Sequence, residues 1–232
     1  MFEIKIIGSS SKGNSYLLLT GKDTLMLECG VKYKDIFAAL NFKIKSIIGC
    51  LCTHEHKDHA GFVKDVIKSG IDVYSSAETF KAIGIQSHRV KPVTAGQQFK
   101  VGSFTVLPFN TKHDAANPFG FLIQHENEKL IFATDTYYIP YKFRGLTRIM
   151  VECNYSRAIV DENLRQGFID RAQVKRLFKS HFSLERVKEF LAANDLSKIQ
   201  RIYLMHLSNR NSNAELFQSE IEKLTGIPVE VC

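Results

Sequence analysis

The chain has 232 residues, is 44% hydrophobic and 24% charged, and carries a formal net charge of +7. This length and apolar content support one domain with a sizeable core, and two small domains would be a strain. The ordinary charge content and the lack of any long Pro, Ser or Gly tract exclude a disordered or fibrous chain.

No apolar run approaches the roughly 20 residues of a membrane helix, and the opening MFEIKIIG lacks the plan of a signal peptide. Cys29, Cys50, Cys52, Cys153 and Cys232 make an odd count at irregular spacing, which argues against a disulfide framework. The expectation is a single cytoplasmic domain over residues 1–232 with no membrane partner. The basic balance favours an anionic partner, nucleic acid or nucleotide, although the Lys and Arg residues form no dense run.

In chain order, Phe2 to Ile7 alternates as a strand, and Gly8 to Asn14 is a Gly/Ser turn. Ser15 to Thr20 and Thr24 to Glu28 read as an antiparallel pair around Gly21-Lys22-Asp23. Tyr33 to Leu40 is helical, and Ile47 to Cys52 is a buried strand in which Cys50 and Cys52 fill the core. Ala60 to Lys68 has helical spacing, Asp72 to Ser75 is a short strand, and Ser76 caps a helix to Ile83. Phe99 to Pro108 alternates with a turn at Gly102-Ser103, and Phe119 to His125 with Lys129 to Ala133 reads as a hairpin. Arg148 to Glu152 is a strand, and Leu184 to Ala193 is a helix with Ser183 as its N-cap. Arg201 to Met205 is a strand, and Ser212 to Glu215 fits a capping box for a helix ending at Gly226. Sheets flanked by helices imply an α/β or α+β layered domain.

The chemistry concentrates in Thr53-His54-Glu55-His56-Lys57-Asp58-His59, directly after a buried strand. Three His and one Asp in so short a stretch suit Zn or a similar ion, since imidazole and carboxylate are its common ligands. A cluster this polar at a strand end is costly without a metal.

The pattern His-x-His-x-Asp-His after a buried strand resembles the signature of the metallo-β-lactamase superfamily. That resemblance implies a four-layer αβ/βα sandwich with two metals at one sheet edge. It also asks for a third His after a later strand, a carboxylate after the next hairpin and a last His after a C-terminal strand. His113, Asp135 and His206 meet those demands in order. By the resemblance, His54, His56 and His113 hold one ion, Asp58, His59 and His206 hold the other, and Asp135 bridges. The set has no thiolate and suits Zn, and also Mn or Fe. Two divalent ions, Zn or Mn foremost, are the expected cofactors.

Such a pair serves two-metal hydrolysis, and its residual positive charge suits an anionic substrate. Asp58 is placed to orient the attacking water. His181, in Ser180-His181-Phe182-Ser183, resembles the His-x-Ser/Thr element of RNase Z-like, PhnP-like and YycJ/WalJ-like phosphodiesterases. There the His is the general acid for the leaving oxygen, a role open to a group titrating near neutral pH. Ser183, at a helix N-terminus, is a candidate phosphate holder. Gly8 to Ser15, Val151-Glu152-Cys153-Asn154 and His206-Leu207-Ser208 resemble the YycJ/WalJ-like group in particular, which makes Asn154 a candidate at the substrate. Glu28 where that group has Asp, Tyr137 where it has Gly, and Tyr155-Ser156 where it has His-Asp are departures.

The leading expectation is a metal-dependent exonuclease. The rival is a cyclic nucleotide phosphodiesterase that degrades a signalling nucleotide, with Phe119, Tyr137 or Tyr155 stacking a base; as packing residues these aromatics need no substrate. A lactam or thioester hydrolase does not require His181, and a non-catalytic module would be expected to have lost ligands. Dimers are common in the superfamily, and a homodimer is carried by that analogy alone.

Overall fold

The structure, a computed structural model, describes residues 2–40 and 46–232. By backbone contacts it groups into two compact units: residues 1–110 with 115–128, and residues 111–114 with 129–232. The strands belong to two sheets.

In the first unit, β1 (Glu3–Gly8), β2 (Ser15–Leu19) and β3 (Thr24–Leu27) form an antiparallel meander. From β3 onward the sheet is parallel, through β4 (Ile47–Leu51), β5 (Val73–Ser75) and β6 (Val90–Pro92). The parallel strands are joined by α1 (Tyr33–Ala39), α2 (Lys57–Ala60), α3 (Val63–Lys68) and α4 (Ala77–Ile83). Leu17, Met26, Ile36, Cys50, Val66, Val73 and Phe80 share one core, so the cysteines fill space as expected. A second meander of β7 (Phe99–Val101), β8 (Phe104–Asn110) and β9 (Phe119–His125) completes this unit.

The second unit is built on four parallel strands in sequence order: β10 (Glu128–Ala133), β11 (Arg148–Glu152), β12 (Arg201–Met205) and β13 (Val229–Val231). Its helices are α5 (Arg157–Arg165), α6 (Arg171–Ser180), α7 (Leu184–Ala192) and α8 (Ala214–Thr225). Ile131, Phe132, Met150, Val151, Leu204, Phe217 and Ile221 are all fully buried.

Two local expectations change. The helix expected over Ala60 to Lys68 is two short helices, broken where the Phe62 N–H leaves the helical ladder to donate to Cys29 O at 2.9 Å. Asp58 and His59 stand on α2, the first of the two. The cap of α8 is Asn213, one residue on from Ser212, and its side chain accepts from Leu216 N–H; leucine at that third position cannot return a side-chain bond, so the expected capping box becomes a simple N-cap. Helices α5 and α6 and the edge strands β6 and β13 have no counterpart in the sequence reading.

Candidate metal centre

In the first unit the His-rich segment leaves the C-terminal end of β4, where ligands are bound in open α/β sheets. The His54 ring lies 4.6 Å from that of His56 and 4.3 Å from that of His59. His59 Nε2 is 3.3 Å from the Asp58 carboxylate. Backbone fit fixes this arrangement. Asn14 N–H donates to Asp58 O at 2.7 Å, and Cys29 N–H to His59 O at 2.7 Å. A Cβ on Gly30 would sit 1.7 Å from Asp58 O, so only glycine allows the Asn14 loop and the start of α2 to close on each other.

Glu28 ends β3 in the left-handed region at φ 62° and is fully buried. Its carboxylate accepts from Thr53 N–H at 3.2 Å and lies 3.6 Å from His59 Nδ1. Burial raises its pKa against the opposing pull of His59 and Thr53. The Glu-for-Asp departure thus still sets a carboxylate against a candidate ligand.

In the second unit the parallel strands β10, β11 and β12 deliver Asp135, Glu152 and His206 at or just beyond their C-terminal ends. Asp135 and His206 are both left-handed, at φ 40° and 53°. Such backbone is rare outside glycine and gathers at functional sites. Asp135 Oδ1 is 2.7 Å from His206 Nδ1, and Asp135 Oδ2 is 3.5 Å from His113 Nε2. His113 Nδ1 is held at 2.8 Å by Ser180 O. Burial lowers the His113 pKa although Asp135 stands beside it, which favours the neutral form a metal requires.

Glu152 is the residue the sequence reading used only as part of a Glu-x-Asn resemblance. It is fully buried and takes four donors. Oε2 accepts from Thr136 N–H and Phe182 N–H, each at 3.0 Å. Oε1 faces His181 Nδ1 at 2.6 Å and His206 Nδ1 at 3.2 Å. Ligand atoms of Asp135, Glu152, His181 and His206 all lie within 4.8 Å of one another. Burial would lower the His181 pKa, but the charge and hydrogen bond of Glu152, with Asp135 beyond, raise it. Glu152 itself is lowered, because His181 and its hydrogen bonds outweigh its burial.

Asn154 donates through its side-chain amide to His206 O at 2.8 Å, which pins the His206 backbone. Ser183 is fully buried and its hydroxyl caps α7 by accepting from Arg186 N–H. Phe119 and Tyr155 are buried, whereas Tyr137 is 38% exposed. His125 packs its ring against Phe104 and Phe2.

The donor set fits divalent ions. It is imidazole and carboxylate, and Nδ1 of His54, His113 and His206 already faces Thr53, Ser180 and two carboxylates respectively. Ligation then falls to Nε2, with the partner on Nδ1 fixing ring and tautomer.

Residues 36–207 match the family described as the Beta-lactamase superfamily domain. The chain belongs to that family. Two curated relatives of this superfamily member are exodeoxyribonucleases. WalJ of Streptococcus pneumoniae is 28% identical over 93% of this chain and 85% of its own length. YycJ of Bacillus anthracis is 26% identical over 94% of this chain and 87% of its own. Among solved structures, the metallo-β-lactamase fold protein YhfI of Bacillus subtilis superposes with a TM-score of 0.74 at 13% identity, covering 100% of this chain and 96% of that one. The expected α/β fold is therefore the metallo-β-lactamase fold, a fold of metallo-hydrolases, and its His/Asp clusters suit divalent metals. Among the described residues no helix is long and apolar enough to cross a membrane.

Proposed function

We propose that this superfamily member is a dinuclear-metal phosphodiester hydrolase that removes nucleotides from nucleic-acid ends. The observation that carries the reading is the 2.6 Å Glu152–His181 contact beside Asp135 and His206. A thioesterase has no use for a proton donor held in this way, because a thiolate departs more readily than an alkoxide. The curated exodeoxyribonuclease relatives and the net charge of +7 point the same way.

In this reading His54, His56 and His113 would hold one ion, Asp58, His59 and His206 would hold the second, and Asp135 would serve both, within one functional domain. Bound there, the ions would supply an acidified water and charge stabilisation at the phosphoryl group. The chain's own residues do the rest. Asp58 orients the water. Glu152 accepts the His181 Nδ1 proton and so presents Nε2 as the outward donor; the His181 side chain is 22% exposed and open to a substrate. As the bond from phosphorus to the leaving oxygen breaks, the Nε2 proton passes to that oxygen, and the water oxygen becomes the new phosphate oxygen. Asn154 keeps His206 in place, Ser183 fixes the helix that follows His181, and Tyr137 is the exposed ring beside Asp135.

The test is product analysis with Mn- or Zn-loaded protein, a 5′-phosphorylated single-stranded oligonucleotide and a panel of cyclic nucleotides, with His206→Ala as control. Mononucleotide release from the oligomer supports the reading. Opening of a cyclic nucleotide with the oligomer intact would replace it with the signal-degrading alternative.

A further inference from the structure

We propose that helices α5 and α6 form a single-strand grip, in which the basic face of α6 tracks the phosphates and Phe178 stacks a base next to His181. This rests on the nucleic-acid reading above and names how the polymer is held.

Helix α6 carries Arg171, Lys175, Arg176 and Lys179 and no acidic residue. Arg171, Lys175 and Lys179 recur every four residues, so they share one helical face with Arg176 beside them. All four are exposed. The other longer helices differ. α7 balances Arg186 and Lys188 against Glu185 and Glu189, α5 balances Arg157 and Arg165 against Asp161 and Glu162, and α8 is acidic. Of these four helices only α6 is basic without any acid, and its C-terminal cap is His181. Its last turns are tied to the site: Ser180 O holds His113 Nδ1 at 2.8 Å, and Arg176 reaches Asp114 at 3.4 Å.

Aromatic rings stand at both ends of the stripe. Phe168, at the turn into α6, is 62% exposed. Phe178 is 37% exposed and lies stacked on buried Tyr155, with centroids 5.3 Å apart and planes at 15°. The Arg157 guanidinium carbon is 6.0 Å from the Phe178 centroid. An ordinary solvated helix face explains the charges but not two large exposed rings bracketing them. A positively charged track with aromatic stacking positions is what a single strand needs. The ten residues of α6 span about 15 Å, a reach of a few nucleotides behind the scissile end. Tyr155, where the chain departs from the YycJ/WalJ-like pattern it resembles, is the buried floor of this stack rather than a base contact.

The experiment measures binding of a fluorescently labelled single-stranded oligonucleotide to the metal-loaded His181→Ala protein across a salt series, alongside wild-type digestion. In this background, Arg171→Ala/Lys175→Ala should reduce the log–log salt slope by about 1.4, from about 0.7 per phosphate contact. Arg171→Lys/Lys175→Arg should leave the slope unchanged. Phe178→Ala should weaken binding about tenfold, and Phe178→Trp should restore it, which a purely structural role of the ring would not produce. With the catalytic His181 present, the same losses should lower the ratio of oligonucleotide to bis(p-nitrophenyl) phosphate turnover. Unchanged slope and affinity, in a protein whose wild type digests the oligonucleotide, would overturn the grip alone. A slope change without any effect of Phe178→Ala would overturn the single-strand assignment in favour of backbone contact only. A wild type that neither binds nor digests the strand would remove the nuclease reading and the grip with it.

Discussion

Glutamine in place of Glu152 keeps the shape of a side chain that the fold buries completely, and removes its charge. A glutamine oxygen can still accept from Thr136 N–H and Phe182 N–H, which the carboxylate holds at 3.0 Å. Its amide nitrogen then faces His181 Nδ1 and His206 Nδ1, donor against donor, where Oε1 now lies at 2.6 and 3.2 Å. Losing one charge-assisted bond of this kind costs about 1.5–3 kcal/mol. At about 2–4 °C per kcal/mol for a chain of this length, the melting temperature should fall by about 3–12 °C. Turnover of an unactivated diester should fall about 100-fold, the low end of what a positioned general acid supplies. Bis(p-nitrophenyl) phosphate, whose leaving group departs without a proton, should lose far less. The pH dependence has a definite sign. Burial alone depresses His181, but Glu152 and Asp135 raise it above the ordinary 6.5, so the acid form lasts to higher pH than a free imidazole's and the rate falls as pH rises through the raised value. Without the Glu152 charge that alkaline limb must move to lower pH. A Glu152→Gln enzyme with its alkaline limb unmoved and equal losses on both substrates would refute the positioning role and leave Glu152 as a structural residue only.

His206→Ala should lower bound metal from two ions per chain toward one, read by elemental analysis of the purified protein, and abolish oligonucleotide turnover. Gly30→Ala forces a Cβ to within 1.7 Å of Asp58 O and 2.8 Å of Asn14 N. The required backbone shift should cost about 3 kcal/mol or more, seen as a lower melting temperature together with weaker metal retention. Ser76→Ala removes the hydroxyl that accepts from Thr79 N–H at the start of α4. It should cost about 1 kcal/mol in a chemical denaturation series and leave turnover unaltered, since α4 carries none of the proposed site residues.

What could be read in advance follows from where burial writes a pattern. Strands β4, β10 and β12 are nearly continuous apolar runs because the sheets bury them, and the His and Asp that follow each run stand out against it. Helices α5 and α6 escaped notice for the opposite reason. Val160 is the only buried residue of α5, and α6 buries only Ser180, while Leu164, Val174 and Leu177 are half-buried, so the apolar face of each helix is short among many charges. Glu152 was illegible as a site residue on its own, since one acid closing an apolar strand carries no spacing signal. Its role appears only when β11 brings it against His181, from the end of α6, and His206, from the end of β12. The shift of the α8 cap from Ser212 to Asn213 is a smaller case: both residue types accept from a helix N–H, and sequence does not rank neighbours that are equally suited.

The left-handed backbones of Glu28, Asp135 and His206 join these levels. Each directly follows or lies within two residues of a strand end, and none is a glycine, although glycine would adopt the conformation with less strain. A fold selected for stability alone would place Gly or Asn at such corners. Retaining an acid or a histidine there costs on the order of 1 kcal/mol each. Both left-handed residues of the second unit meet in one contact, Asp135 Oδ1 to His206 Nδ1 at 2.7 Å, with Glu152 sharing the same imidazole. Strain at two separate strand ends that converges on a single carboxylate–imidazole contact is better explained by side-chain chemistry than by chain reversal. Asp135→Gly and His206→Gly should therefore relieve backbone strain while costing at least one bound ion, and a glycine variant that kept both ions would show that these corners serve the turn and not the site.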